Sequence, residues 1–234
     1  MTTSGTATWN PDISEIIEEA FERAGVEIRT GYQYKTARRS LNYLLASWAN
    51  RGINLWTVEQ GSIALTPGTV EYSLPADTVD LIEHVIRQNP GSQSNQVDLQ
   101  ITRIALPTYA TLPNKLTTGR PIQIYVDRQA PIPKVKIWPT ANNNSYTLVY
   151  WRLRRLNDAG ASGANTVDVP FRFLEAITAG LAYHIALKTP ESADRIDMLK
   201  ALYEEAFQMA ADEDRDKAPI RFVPYSSYIG GRGW

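Results

Sequence analysis

The spacing of apolar residues changes twice along the chain, from a helical period to a strand period and back again. Near the amino end, apolar residues recur every three or four positions, which predicts two helices. The predicted buried stripes are Ile13, Ile16, Ile17, Ala20, Phe21 and Ala24, followed by Tyr34, Ala37, Leu41, Leu44, Leu45 and Trp48. Asn10 and Pro11 are typical of a helix start, and Gly25 and Gly52 of helix ends. We therefore expect an antiparallel helical hairpin.

The middle of the chain has the alternating pattern of strands. Val58, Ile63 and Leu65 precede the turn at 66–69, and apolar residues at alternate positions follow it, which predicts a β-hairpin. Further β-rich runs lie at 79–87, 97–101, 121–127, 135–138 and 146–154. A helical turn is expected near 106–113, where prolines exclude a longer helix. This region predicts an antiparallel β-domain of about six or seven strands.

The helical period returns in the last third of the chain. The predicted stripes are Phe171, Leu174, Ile177, Leu181, Ala182 and Ile185, followed by Ile196, Leu199, Leu202, Tyr203, Ala206 and Met209. Because each helix pair alone would expose its apolar stripe, we expect the pairs to pack together. The predicted fold class is α+β: a four-helix bundle-like domain built from the N- and C-terminal helix pairs, an inserted antiparallel β-domain and an extended C-terminal tail. The predicted bounds are 1–56 with 168–217, then 57–167, then 218–234.

Composition excludes several classes of protein. The chain has no cysteine and two histidines, so we expect no disulfide, thiolate nucleophile or His-rich metal centre. No apolar run approaches the roughly 18 residues of a membrane helix, and the first residues lack the pattern of a signal peptide. The glycines between residues 25 and 31 lack the Lys-Ser/Thr ending of a phosphate-binding loop, so no cofactor is expected.

No catalytic constellation stands out. Neither His84 nor His184 lies near a nucleophile-elbow pattern, so both are interpreted as structural. Neighbouring acids such as Glu18-Glu19 and Glu204-Glu205 point apart on a helix and are typical of a solvated face. The prediction is a protein that is not an enzyme, and a virion-associated cell-wall hydrolase using a carboxylate pair is kept as the third hypothesis.

The last 17 residues combine aromatic and basic side chains with proline and glycine, and they contain no acid. Such a segment is either a frayed end or a docking segment, because aromatic residues and arginine dominate interface hot spots. The predicted docking residues are Arg221, Phe222, Tyr225, Tyr228 and Trp234.

A basic strand is the second candidate surface. Between Arg120 and Arg155, basic residues far outnumber acids, although the net charge of the whole chain is -1. Strand alternation would place Tyr150, Arg152 and Arg154 on a face that meets water or a partner. We predict that Arg152, Arg154 and Arg155 form a basic surface facing a channel or a partner. A solubilising face, contact with phosphates and contact with an acidic protein all remain open, and a nucleic-acid-binding module is the alternative function.

Several stretches of the chain resemble the head-to-tail adaptors of short-tailed bacteriophages, also described as connectors, packaged-DNA stabilisation factors or tail accessory factors. The helical stretches that carry the resemblance are 17–26, 37–56, 170–187 and 203–215. The stretches 68–75 and 112–121 resemble the β insertion of larger members of that family.

The resemblance implies a structural virion protein at the head-tail junction, assembled in the host cytoplasm. It implies a dodecameric ring that joins the portal to the tail, extends the DNA channel and helps to retain packaged DNA. The implied partners are the portal protein, neighbouring adaptor subunits, a tail or nozzle protein, and DNA that passes through without sequence-specific binding. No membrane and no cofactor are implied.

Overall fold

In this computed structural model, residues 3–52 and 55–215 are described. These residues form five α-helices, two at the amino end, one short helix in the middle and two at the carboxyl end. The helices are α1 (Ile13–Ala24), α2 (Gly31–Trp48), α3 (Leu106–Ala110), α4 (Leu174–Ala186) and α5 (Ile196–Glu213). Short 3-10 helices lie at Leu55–Thr57, Phe171–Phe173 and Pro190–Arg195.

Ten strands fill the region between α2 and α4. They are β1 (Val58–Ala64), β2 (Glu71–Ser73), β3 (Thr78–Gln88), β4 (Val97–Gln100), β5 (Thr102–Arg103), β6 (Thr118–Gly119), β7 (Gln123–Asp127), β8 (Lys134–Trp138), β9 (Thr140–Ala141) and β10 (Tyr146–Arg154). One sheet has the order β1-β10-β3-β4, a second has the order β2-β8-β7-β5, and β6 pairs with β9 in a third.

Local signals determine where the first two helices begin. Asp12 accepts a hydrogen bond from the Glu15 N–H, and the Glu15 carboxylate accepts one from the Asp12 N–H. Thr30 and Gln33 make the same reciprocal contact at the start of α2. Such capping boxes satisfy the free N–H groups of a first helical turn. Helix α1 therefore begins two residues after the predicted Asn10-Pro11 start, and it ends as predicted at Gly25, whose φ of 75° is left-handed.

Helix α4 is the centre of the helical core. Its buried residues lie on every side of the helix, and α1, α2 and α5 all pack against it. Helix α2 contributes Trp48, whose indole N–H donates to the Tyr203 hydroxyl of α5 at 2.9 Å. The sheet region has a separate cluster of buried residues, which includes Leu81, Ile86, Ile124 and Leu148.

The predicted fold class is wrong, although the six residues of the first predicted stripe are all buried. The described residues form five helices and ten strands in three sheets, so a four-helix bundle with one insertion does not describe the architecture. Helices α1 and α2 pack more against α4 than against each other, so they are not the expected hairpin. The β region is not purely antiparallel either, because β5 pairs with β7, and β6 with β9, in parallel.

The predicted hairpin around residues 66–69 is also wrong. Strand β1 pairs with β10, while β2 pairs with β8 in the other sheet, so the turn links two sheets. The physical reason is that β10 offers β1 a seven-residue antiparallel register, whereas β2 is only three residues long. The division of the chain at residues 56 and 168 into separate domains stays a prediction.

Close packing around α4 can be tested at Gly180. A Cβ atom at this position would lie 2.8 Å from the Tyr203 ring and 2.9 Å from a Leu44 methyl group. We expect Gly180→Ala to lower the free energy of unfolding by roughly 1–2 kcal/mol, because overpacking outweighs the gain in helix propensity. Urea denaturation measures the change.

The matched control is Gly31→Ala, because nothing lies within 4 Å of a Cβ built at Gly31. We expect this control to change the free energy of unfolding by less than about 0.5 kcal/mol. Equal stability of the two variants would contradict the close approach of three helices at Gly180.

Candidate interaction surfaces

Arg152, in β10, is held by acids on two neighbouring segments. Its guanidinium donates to the Asp77 carboxylate at 2.6 Å and to the Glu59 carboxylate of β1 at 2.7 Å. Only 11% of its side chain is exposed. The hydrogen bond from Arg152 lowers the pKa of Asp77, so this carboxylate is charged at neutral pH.

Arg154, two residues later, connects the sheet to the segment that precedes α4. Its guanidinium donates to Glu59 at 2.8 Å and to Asp168 at 3.0 Å, and 13% of the side chain is exposed. Burial alone would raise the pKa of Asp168, but hydrogen bonds from Arg154 and from the Asn157 N–H lower it below its usual range. Glu59 lies between the two arginines and accepts from both.

The structure therefore separates the three basic residues of the predicted surface. Arg152 and Arg154 are ion-paired within the protein, while Arg155 is exposed. Tyr150, which alternation placed on the same outward face, is buried with 3% exposure, so that part of the expectation is wrong. The role of these arginines at a channel or partner surface stays a prediction.

The predicted docking residues of the tail, Arg221, Phe222, Tyr225, Tyr228 and Trp234, lie outside the described residues. The described chain ends next to Asp214, which is buried. Arg172 donates to the Asp214 carboxylate, and the Leu55 N–H donates to the same group at 3.0 Å. These contacts fix the end of α5 beside the 3-10 helix that precedes α4.

A groove of about 910 Å³ runs between α1 and the start of α4. Trp9 and Phe171 line it, and they are 75% and 80% exposed. Ile16 and Leu174 contribute to the apolar lining. Two large aromatic side chains at one concave surface are typical of an interaction site.

The rim of this groove carries an excess of negative charge, so we call it the acidic groove. Five glutamates and one arginine line it: Glu15, Glu18, Glu19, Glu22, Glu175 and Arg23. Arg23 pairs with Glu19 at 2.7 Å and with Glu175, whose pKa the hydrogen bond from Arg23 lowers. Glu18 and Glu22 have no ion-pair partner among the residues whose positions are described, so their charges face solvent.

Helix α5 has a second exposed apolar surface. Met198, Leu202 and Met209 are 53%, 49% and 68% exposed. At 100° per residue they lie within about 40° of one another around the helix. Leu202 and Met209 were predicted to be core residues, but the buried face of α5 is formed by Leu199, Tyr203 and Ala210. We call the three exposed residues the α5 stripe.

Among the described residues, the titratable groups with shifted pKa values show no arrangement for acid-base chemistry. Burial, together with the charge of Arg103, lowers the pKa of His84, and burial, together with Lys188, lowers that of His184. The hydrogen bond from Arg51 lowers the pKa of Glu204, whereas a general acid needs a raised one. Within 3–52 and 55–215, no group of three His, Asp or Glu side chains could hold a metal ion. The helices of these segments include none long and apolar enough to cross a membrane.

Comparison with known proteins identifies the family. The family model described as SU10 adaptor protein matches residues 10–223, which is nearly the whole chain. The chain belongs to the SU10 adaptor protein family. It is a bacteriophage structural adaptor, a virion component that contacts other virion proteins, and the resemblance to phage head-tail adaptors is confirmed. No curated protein matches the chain.

Two surfaces of this adaptor were missed by sequence reasoning. The groove brings together Trp9 and Phe171, which are distant in sequence, so only the packing of α1 on α4 reveals it. The α5 stripe did leave a signal. Apolar residues on α5 fall on more than one face, which indicates that a second face needs a partner.

The Arg154 contacts predict a stability effect. Arg154→Met removes both ion pairs and leaves Asp168 with a backbone donor alone, so we expect the free energy of unfolding at pH 7 to fall by about 1–3 kcal/mol. Because the pKa of Asp168 is lowered in the folded state, its stabilisation is present above the unfolded pKa of about 3.9 and is lost as the pH falls. The variant should therefore lose less stability than the wild type between about pH 5 and pH 2.

Arg155→Met is the control, because Arg155 is exposed, and its effect should stay within about 0.5 kcal/mol. Urea denaturation across this pH range measures both variants. A loss of DNA affinity without any loss of stability in Arg154→Met would contradict the structural role of Arg154.

Proposed function

We propose that the chain is one subunit of the ring that joins the portal to the tail of a short-tailed bacteriophage. In this proposal the ring is dodecameric, extends the DNA channel and helps to retain packaged DNA. Membership of the SU10 adaptor protein family supports the adaptor role. The observation that carries the ring is the α5 stripe.

The α5 stripe supports lateral association because it exposes apolar side chains that the described part of the subunit does not cover. Their burial against a neighbouring copy would remove apolar surface from water, which favours association by roughly 25 cal/mol for each Å². In a ring, each copy presents one surface to the preceding subunit and a different one to the following subunit, and the rotation closes on itself. The α5 stripe is one half of such a contact.

Charge also suits a channel component. The net charge is -1, and Arg152 and Arg154 are neutralised by ion pairs within the subunit. A protein binds a DNA duplex tightly when many of its lysines and arginines displace the counterions of the phosphates, and each such contact strengthens binding. A subunit whose net charge is close to zero, and whose Arg152 and Arg154 are ion-paired, would let DNA pass through the channel without sequence-specific binding.

The remaining partners in this proposal are the portal and a tail or nozzle protein. Arg221, Phe222, Tyr225, Tyr228 and Trp234 are the proposed contacts to the portal or to a neighbouring subunit. Their aromatic and basic composition supports this role, because such side chains give most of the binding energy at interfaces. The ring needs no catalytic group, and its proposed place is the head-tail junction.

The α5 stripe gives a direct test of ring formation. We expect Leu202→Glu combined with Met209→Glu to weaken assembly on portal rings at least about tenfold, because charges would enter a contact between subunits. Since both side chains are largely exposed, the melting temperature of the free subunit should be unchanged. Light scattering and electron microscopy of portal mixtures measure assembly.

Lys200→Glu is the matched control. It changes the net charge by the same two units on the same helix, but it lies on roughly the opposite face from the α5 stripe. This control should assemble normally. Normal assembly of the double variant would exclude the α5 stripe from the ring interface.

A further inference from the structure

We propose that the acidic groove binds the C-terminal segment of the same chain, residues 218–234, in the free subunit. This assigns an occupant to a surface that the described residues leave open. The contact belongs to the free subunit, so it does not depend on the proposed place at the portal.

Charge complementarity is the first argument. Glu18 and Glu22 lie four residues apart on α1, where like charges destabilise a helix. Neither has an ion-pair partner within the described part of the chain. Residues 218–234 contain Arg221 and Arg232 and no acid. A cationic segment would relieve the repulsion on α1 and complement the charge of the rim.

The apolar lining is the second argument. Trp9 and Phe171 line the groove and are largely exposed, and Ile16 and Leu174 also line it. The segment supplies four aromatic side chains, Phe222, Tyr225, Tyr228 and Trp234. Contacts between aromatic rings are favourable beyond the effect of the apolar area that they bury. The groove and the segment thus match in both charge and aromatic content.

The position of the chain end is the third argument. Asp214 contacts Arg172, and Arg172 is the neighbour of Phe171 in the groove. The described part of the chain therefore ends close to the groove. The 17 residues of the segment can span roughly 55 Å when extended, which is more than enough to reach along α1. A short connection raises the effective concentration to about the millimolar range, which favours the groove of the same chain over that of a neighbour.

Disulfide trapping in the full-length chain tests this contact. Because the sequence has no cysteine, the two introduced cysteines are the only ones that can form a disulfide. Ala7→Cys lies at the groove, and Ser226→Cys lies in the segment, so neither removes a charged or aromatic group of the argument. We expect mild oxidation to form an intramolecular disulfide in this double variant. Mass spectrometry and non-reducing gels identify it. The control pair, Glu205→Cys with Ser226→Cys, places the first cysteine on the exposed side of α5 and should react much more slowly.

The ionic part of the contact has its own test. Adding Glu18→Lys and Glu22→Lys should slow cross-linking by about threefold to tenfold, which is the range expected for two exposed ion pairs. Adding Arg221→Glu and Arg232→Glu to that variant should restore the rate. Glu27→Lys with Glu205→Lys, which lie outside the groove, should have no effect.

Three results would overturn the proposal. Equal rates for the groove pair and the control pair would mean that the segment does not bind the groove. Disulfide-linked dimers in place of intramolecular products would assign the groove to the segment of a second copy. An unchanged rate after reversal of Glu18 and Glu22 would remove the ionic basis of the contact. Melting temperatures of all variants show whether the fold is intact.

Discussion

Burial of α4 on all sides is the constraint on which the helical region depends. Helices α1, α2 and α5 come from the two ends of the chain, and each covers a different side of α4. Because Gly180 has no side chain, Leu44 of α2 and Tyr203 of α5 can both pack closely against α4. The Trp48 indole N–H holds Tyr203 in place by donating to its hydroxyl. Because one helix organises the others, no other helix among the described residues covers the outer faces of α1 and α5. Those faces carry the acidic groove and the α5 stripe.

The ion pairs of Arg154 connect the sheets to the segment that precedes α4. Glu59 belongs to β1 and Asp168 to the segment that precedes α4, and Arg154 binds both. Charged side chains of low exposure are costly to leave unpaired, so this network favours a single arrangement of the connecting segments. For an adaptor, a fixed arrangement places separate surfaces at defined positions, and neighbouring virion proteins can then meet each of them.

Local patterns predicted where the helices lie, because a helix depends on residues three or four positions apart, but Phe171, Leu202 and Met209, which were predicted to be buried, are exposed. All six residues of the α1 stripe are buried, and strands β3 and β10 lie within a residue of their predicted bounds. Pairings between distant segments were not predictable in this way. The turn after β1 looks like a hairpin, yet β1 pairs with β10 across more than 80 residues of sequence. The basic strand shows the same limit, since Glu59 and Asp77, which pair with Arg152, lie 75 or more residues away from it in sequence.

The measurement that tests the adaptor ring most directly is the mass of the purified protein, alone and after mixing with portal rings of the same phage, together with electron microscopy of the mixture. The account predicts a free subunit or small oligomer that forms a regular ring on the portal, with one adaptor for each portal subunit. A well-folded protein that does not associate with the portal, or that binds it without forming a ring, would contradict the account.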